Sequence, residues 1–421
     1  MHIRKRWVAR LGVVAAAGGL LAAVAFTSTS AATAAKSTKA TKSPIVLAMI
    51  NLLTGPVVFP QAEQGAQAAV DYVNKYEDGI NGHVIKLDVC GTSVVTDPAA
   101  AATCANTLVA DHPALVIGGA EVGASASFPI WNAHGLAYIG GDSFTPVESN
   151  NPDAVIFNSL NVADNASALG YAHNKLHINS VAIIEANDAQ GLATGGQIAG
   201  YAKGLGMTYT LIPQSDTATP SQFSAVAAQA AQSNPGLIYV ELPFECAPQV
   251  VAIRAGGYTG AVSGLDTCGE PQDVAAEGSS GNGLFFTTPI VNFDQVNTKL
   301  WGSEVKITKA AIAQFEPKIA WDANAGNAFG TIMNLRTTLD SIKGTLDKAK
   351  ILAAFRKPGE HANWLAHPYD CATHLVPTQS SVCQPYELAD KIENGKVLTL
   401  STAWLDGGNV VPTSFYSTRK S

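Results

Sequence analysis

Residues 114–144, ALVIGGAEVGASASFPIWNAHGLAYIGGDSF, hold two short apolar runs, Ala114–Ile117 and Leu136–Ile139, each ending in Gly-Gly. A helix-length segment separates them. Apolar runs this short, bounded by glycines, read as parallel strands buried on both faces. Glycines at strand ends let backbone amides come close to a bound molecule. In open α/β sheets the ligand lies outside the carboxyl ends of the strands. Here those ends are Ala120–Ser125 and Asp142–Thr145. The rest of the chain reads as a frame holding these two loops opposite a second, similar set.

Outward from this stretch the strand–helix alternation continues both ways. Upstream, a strand over Ile45–Ile50 leads through a loop, Asn51–Pro60, to a helix over Gln61–Tyr76 with Ala66, Ala69, Val70 and Val73 on one face. Gly79-Ile80-Asn81-Gly82 turns the chain into a strand over Val84–Cys90. Asp97-Pro98 then starts an alanine-rich helix, an Asp cap with Pro at the first helical position being a strong start signal. Downstream, Ala154–Leu160 is a strand and the alternation restarts through Val181–Ala186, Thr208–Ile212, Leu237–Leu242, Ala261–Leu265 and Leu284–Pro289. Helices over 303–314, 322–342 and 347–355 follow, expected to return and cover the first set. Two successive βα sets of similar length predict an α/β protein of two lobes. The limits drawn are 44–157 and 288–361 for the first lobe, with 158–287 and 362–421 for the second.

A leader precedes these lobes. His2–Arg10 carries four positive charges, Leu11–Phe26 is apolar or small, and Ala32-Thr33-Ala34 is a small-x-small cleavage site, which together describe a signal peptide over 1–35. Residues 36–43, KSTKATKS, read as a disordered spacer. No cysteine precedes Cys90, so no lipobox is present and export without a lipid anchor is expected. The leader takes four of the 26 Lys and Arg and none of the 33 Asp and Glu, so the exported chain is more acidic than the net −7 of the whole. That balance argues against nucleic acid or an anionic membrane surface as a partner.

Six cysteines in an exported chain point to disulfides. Cys90 ends a strand and Cys104 lies in the helix that packs back over it. Cys246 and Cys268 fall just beyond the ends of neighbouring strands. Cys371 and Cys383 flank one short loop, and a bridge there outweighs a zinc site with His374, because no fourth ligand is evident. His173 and His177, at i and i+4, read as a solvated helix face. Trp131, Tyr138 and Tyr239 sit in apolar runs and read as core. Phe59, Phe144 and Phe244 lie in loops at strand ends, where ligand contact and simple packing stand level.

Catalytic signals are sparse. There is no Walker motif, and no G-x-G-x-x-G follows a strand, so no cofactor is expected. Gly141-Asp142-Ser143 is similar to the nucleophile block of some esterases, but the tail contains no Asp-x-x-His to activate Ser143.

At Thr54-Gly55-Pro56, Gly65, Ala69, Asn74 and Gly79-Ile80-Asn81-Gly82 the chain resembles the type 1 periplasmic binding proteins of branched-chain amino acid ABC transporters. The resemblance runs on through Asp97-Pro98, Val116–Gly119 and Gly135–Ile139, and more weakly through Val181–Gly191 and Gly236–Asp266. It implies two doubly wound parallel-sheet lobes joined by three crossovers, closing over a small molecule in the cleft between them. By loop position it implies ligand contacts from Phe59, from Glu121 to Ser125, and from Asp142, Ser143 and Phe144 in the first lobe. In the second lobe it implies Gln190, Phe244 and Asp266, with Asp266 where an acid pairs with an ammonium. Gln190 and Phe244 replace tyrosines of the amino-acid binders, and Ser143-Phe144 replaces an Ala-Thr pair. Relatives of this fold also bind amides, urea and aromatic acids.

The expectation is a monomeric, non-catalytic receptor that takes a small polar solute, an amino acid or related amine or amide, to the membrane permease of an ABC importer. The alternatives are a secreted hydrolase using Ser143 and a binding protein that signals to a sensor.

Overall fold

A computed structural model describes residues 40–55, 58–93, 98–159, 162–215, 217–292, 298–373, 376 and 379–410. The leader, the first half of the spacer, Pro56, Asp97 and His374 lie outside the described residues.

The first βα set is β1 (Lys42–Thr54), α1 (Pro60–Tyr76), β2 (His83–Ser93), α2 (Pro98–Val109), β3 (Leu115–Ile117), α3 (Ala124–Ala133), β4 (Tyr138–Gly140), α4 (Pro146–Ser149) and β5 (Ala154–Ile156). The second is α5 (Val162–Leu176), β6 (Ser180–Ala186), α6 (Ala189–Gly204), β7 (Thr208–Gln214), α7 (Pro220–Ala231), β8 (Leu237–Glu241), α8 (Cys246–Ala255), β9 (Ala261–Gly264), α9 (Pro271–Glu277) and β10 (Phe285–Thr288). There follow α10 (Thr298–Phe315), α11 (Ala323–Leu339), α12 (Lys348–Phe355), β11 (Tyr386–Glu393), β12 (Lys396–Thr399) and β13 (Leu405–Asp406).

The first sheet runs β2-β1-β3-β4-β5, all parallel. The second runs β12-β11-β10-β9-β8-β6-β7, in which β7-β6-β8-β9-β10 repeats the first order and β11 and β12 add an antiparallel edge. Both are doubly wound sheets whose strand order reverses beside the first strand, and a crevice opens at that reversal.

Successive residues along each strand serve opposite faces. In the first sheet Leu47, Met49, Leu115 and Ile117 pack under α1, α11 and α12, while Ala48, Ile50, Val116 and Tyr138 pack under α2 and α3 with Phe128 and Trp131. In the second, Ile184, Ile238 and Val240 face α7 and α8, whereas Val181, Ile183 and Tyr239 face α5 and α6. Trp131, Tyr138 and Tyr239 are core, as their runs predicted. Helix α11 meets α1 closely because residue 65 is glycine; a Cβ there would lie 2.3 Å from the Ala325 carbonyl oxygen.

Two boundaries differ from the sequence reading. Strand β1 starts at Lys42, inside the stretch read as spacer, and continues through Asn51–Thr54, read as loop. Parallel pairing with β2 from Lys42↔His83 to Thr54↔Ser93 fixes this length, since ladder hydrogen bonds need no apolar side chain. The tail drawn into the second lobe from residue 362 instead stays with the first sheet through Cys383. Ile156 donates its amide to the Ser381 carbonyl (2.9 Å), and the Cys383 amide donates to the Ile156 carbonyl (2.9 Å). Only at Tyr386 does the chain enter β11.

The chain therefore passes between sheets three times, near Asn158, near Thr288 and near Gln384. The three disulfides are Cys90–Cys104, Cys246–Cys268 and Cys371–Cys383, with Cα separations of 5.5, 5.5 and 4.3 Å, and no free cysteine remains.

Candidate ligand-binding site

The first-lobe wall is assembled around Asn51, which is fully buried at the end of β1. Its side-chain amide donates to the Phe59 carbonyl (2.9 Å), and its oxygen accepts from the Ala120 amide (3.0 Å). One side chain thus ties the loop after β1 to the loop after β3. Phe59 is buried against Leu52 and Ala120, and its ring centre lies 6.2 Å from that of Phe144.

The loop after β4 is shaped by Glu148, which accepts from the amides of Phe144 and Thr145 (2.7 Å each) and from the Tyr138 hydroxyl (3.1 Å). Burial and the nearby Glu121 push its carboxyl up to about 8 despite these donors. Thr145 and Glu148 form a capping box on α4. The same loop presses on α11 because residue 141 is glycine; a Cβ there would sit 2.7 Å from the Asn327 Cβ.

Asp142 is 8% exposed and accepts from the Asn327 side-chain amide, leaving its second oxygen without a partner. Ser143 is 2% exposed and its hydroxyl makes no hydrogen bond, so no general base reaches it. Glu121 is buried as well, its carboxylate held by the Ser127 hydroxyl at 2.5 Å, and desolvation raises it to about 7.

From the second lobe, Phe244 packs onto the group formed by Leu52, Phe59 and Ala120, against which Phe144 packs as well. The Asn324 amide on α11 reaches Glu270 before α9 (2.9 Å), a second contact between the lobes. Between the first-lobe loops and α11, beside Gly118, Asp142, Phe144 and Asn327, a space of only about 20 Å³ is left.

The roomier space lies toward the second crossover, a cavity of about 530 Å³. Asp266, Glu270 and Asp390 line it from the second lobe, and Trp321 and Asp322 line it from the first. Asp266 is partly exposed to it. Asp322 caps α11 through the Ala325 amide (2.8 Å).

These acids belong to a larger buried set with Asp142, Asp164, Glu241 and Glu387. Desolvation raises each of them, and acid neighbours add to it: Asp266 acts on Asp142, Asp164, Glu241, Glu270, Asp322 and Glu387. Asp266 is itself raised by desolvation, against the Thr267 amide that lowers it. Glu387 is fully buried with both oxygens unpaired. Such carboxyls are costly when ionised and hold protons until a positive charge joins them. Among the described residues no three His, Cys, Asp or Glu are grouped to hold a metal ion.

The structure thus gathers Phe59, Phe144 and Phe244, and sets Asp142 within electrostatic reach of Asp266. Ser125 and Gln190 stand exposed on the first turns of α3 and α6, outside that group. Sequence reasoning passed over Asp164, Glu241, Glu270, Asp322, Glu387, Asp390 and Asn327. A signal was available for two of them. In β11, YELADKIE, Glu387 and Asp390 occupy a strand whose next residues inward are Leu388 and Ala389, an acid count too high for a core strand without a task.

Comparison with known proteins fits this geometry. The family model described as periplasmic binding protein matches residues 44–373. A leucine-binding protein from Thermotoga maritima superposes with a TM-score of 0.71 at 18% identity, over 86% of this chain and 99% of that one. A fatty acid ABC transporter substrate-binding protein from Thermomonospora curvata gives 0.71 at 16%, over 90% and 97%. An ABC transporter solute-binding protein from R. palustris in complex with 4-hydroxybenzoate gives 0.71 at 15%, over 86% and 97%. No curated protein matches the chain at the sequence level.

Proposed function

The chain belongs to the periplasmic binding protein family, and on that premise we propose that it is an exported receptor capturing a small polar solute between its lobes for an ABC importer. The observation that carries the reading is the packing of Phe244 from one lobe onto the Leu52, Phe59 and Ala120 group of the other, which also carries Phe144, beside unpaired carboxylates. A contact made by both lobes at once is what couples ligand binding to closure.

The solute class follows from charge. The loops assigned to the cleft contain Glu121, Asp142 and Asp266 but no Lys or Arg. An anionic ligand would have only backbone amides and helix ends to meet it. An amino acid or a related amine or amide suits the site better, with Asp266 taking the positive or donating group. The leucine, fatty acid and 4-hydroxybenzoate named for the three similar structures indicate how widely this fold's cargo varies. The basic and apolar leader supports export, and no described helix is long and apolar enough to cross a membrane.

Mass spectrometry of small molecules released by denaturing the purified protein identifies the solute. Small-angle scattering should then show a smaller radius with that solute bound. An unchanged profile at saturation rejects the receptor reading.

A further inference from the structure

Acids line the cavity beside the second crossover at two places. At one, Asp266, Glu270 and Asp322 interact with one another. At the other stands Asp390 on β11, opposite Phe286 of β10 and paired along the sheet with Thr399. Asp390 is 1% exposed, and the Thr399 hydroxyl beside it is the one group placed to donate to it, so at least one of its carboxylate oxygens has no partner. Asp322 is 8% exposed and its second oxygen is likewise unpaired. Native proteins rarely leave such groups orphaned without an occupant to satisfy them. Apolar walls are supplied by Val274, Phe286, Ile290 and Val397. Among the described lining residues Lys396 is the one cation, and it is exposed.

We propose that this cavity takes an aliphatic chain with an ammonium group at each end, a diamine or polyamine, one end held by Asp266, Glu270 and Asp322 and the other by Asp390. The proposal deepens the receptor reading and rests on it. A single cation would leave one of the two places unsatisfied. A carboxylate would be placed among acids with only an exposed lysine to meet it, which disfavours α-amino acids that carry one. The methylenes between the two ends match the apolar walls, and about 530 Å³ falls within the roughly 300–1,000 Å³ usual for small-molecule sites.

Calorimetry on the mature protein with putrescine, cadaverine, lysine, leucine and 4-hydroxybenzoate tests this. Cadaverine is lysine without its carboxylate, so the pair isolates the charge argument. We expect cadaverine or putrescine to bind at least about 30-fold tighter than lysine or leucine, and D322N and D390N each to lose about 30-fold or more, as when one partner of a desolvated charge pair is removed. Titrations in buffers of different ionisation enthalpy should show protons released on binding. Lysine or leucine binding as tightly as the diamines, or D390N within threefold of wild type, overturns the proposal. Absence of binding by both diamines overturns it too. If another solute then still contracts the protein in scattering, the receptor reading stands without it; if none does, both fall.

Discussion

Gln384 donates a 2.7 Å hydrogen bond to Asn158, joining the third crossover to the first. Asn158 accepts also from Asn363 (2.9 Å) and donates to Asn327 (2.7 Å), whose own amide goes on to Asp142. Amide side chains thus run unbroken from the crossovers to the cleft, with Asn158 at their centre and 1% exposed.

Asn158→Ala should therefore destabilise the protein by about 2–4 kcal/mol, because it leaves three buried amide partners short of a bond. Denaturant unfolding measures it. A loss under 1 kcal/mol would mean that water or neighbouring groups replace the bonds.

Stability of the empty protein should fall as pH rises from 5 to 8.5. Glu121 and Asp390 are raised to about 7 and Glu148 and Glu241 to about 8, all chiefly by desolvation, and Asp142, Asp266 and Glu387 are raised in the same sense. Carboxyls raised in this way bind protons more tightly folded than unfolded, so their contribution is complete below the unfolded values of about 4 and is lost progressively as pH rises to the folded ones. Thermal melts in matched ionic strength should show several degrees of difference; a flat or rising profile contradicts the buried acid set.

Asp266→Asn should raise the melting temperature of the empty protein at pH 8, since it removes the charge that acts on Asp142, Asp164, Glu241, Glu270, Asp322 and Glu387. It should at the same time weaken capture of a cationic solute by about 30-fold or more. Equal affinity would take Asp266 out of the site.

Phe244→Ala should leave unfolding within about 1 kcal/mol of wild type, because the ring is only half-buried. Its effect belongs to closure. Scattering of the solute-bound variant should stay closer to the open radius than that of the wild type.

Most of the fold was legible in residues 114–144 and their neighbours, because short apolar runs with terminal glycines determine both strand type and ligand side. The cysteine pairs were legible for a related reason: each pair lies within one or two adjacent elements. What stayed hidden depends on contacts distant in sequence. Nothing near Val382 announces that it bridges to Ile156, 226 residues away by the same numbering that separates Asn158 from Gln384. Lys42 joins β1 through backbone pairing that its polar side chain does not advertise. In the candidate site, Phe59, Phe144 and Phe244 were marked by their places at strand ends, and Asp266 by the family resemblance. Asp322 reads locally as a helix cap and Asp390 as one residue of a strand, and only the tertiary arrangement brings them to one cavity.

Phe244 stands two residues before Cys246, and Asp266 two residues before Cys268. The bridge between those cysteines staples the loops after β8 and β9 into a single jaw. The distance from the aromatic contact to the carboxylate is then set covalently before any solute arrives, so the second lobe works as a gauge. A solute that met both Phe244 and Asp266 would have its length measured against that fixed span, and reduction of this one bond should then relax selectivity by length.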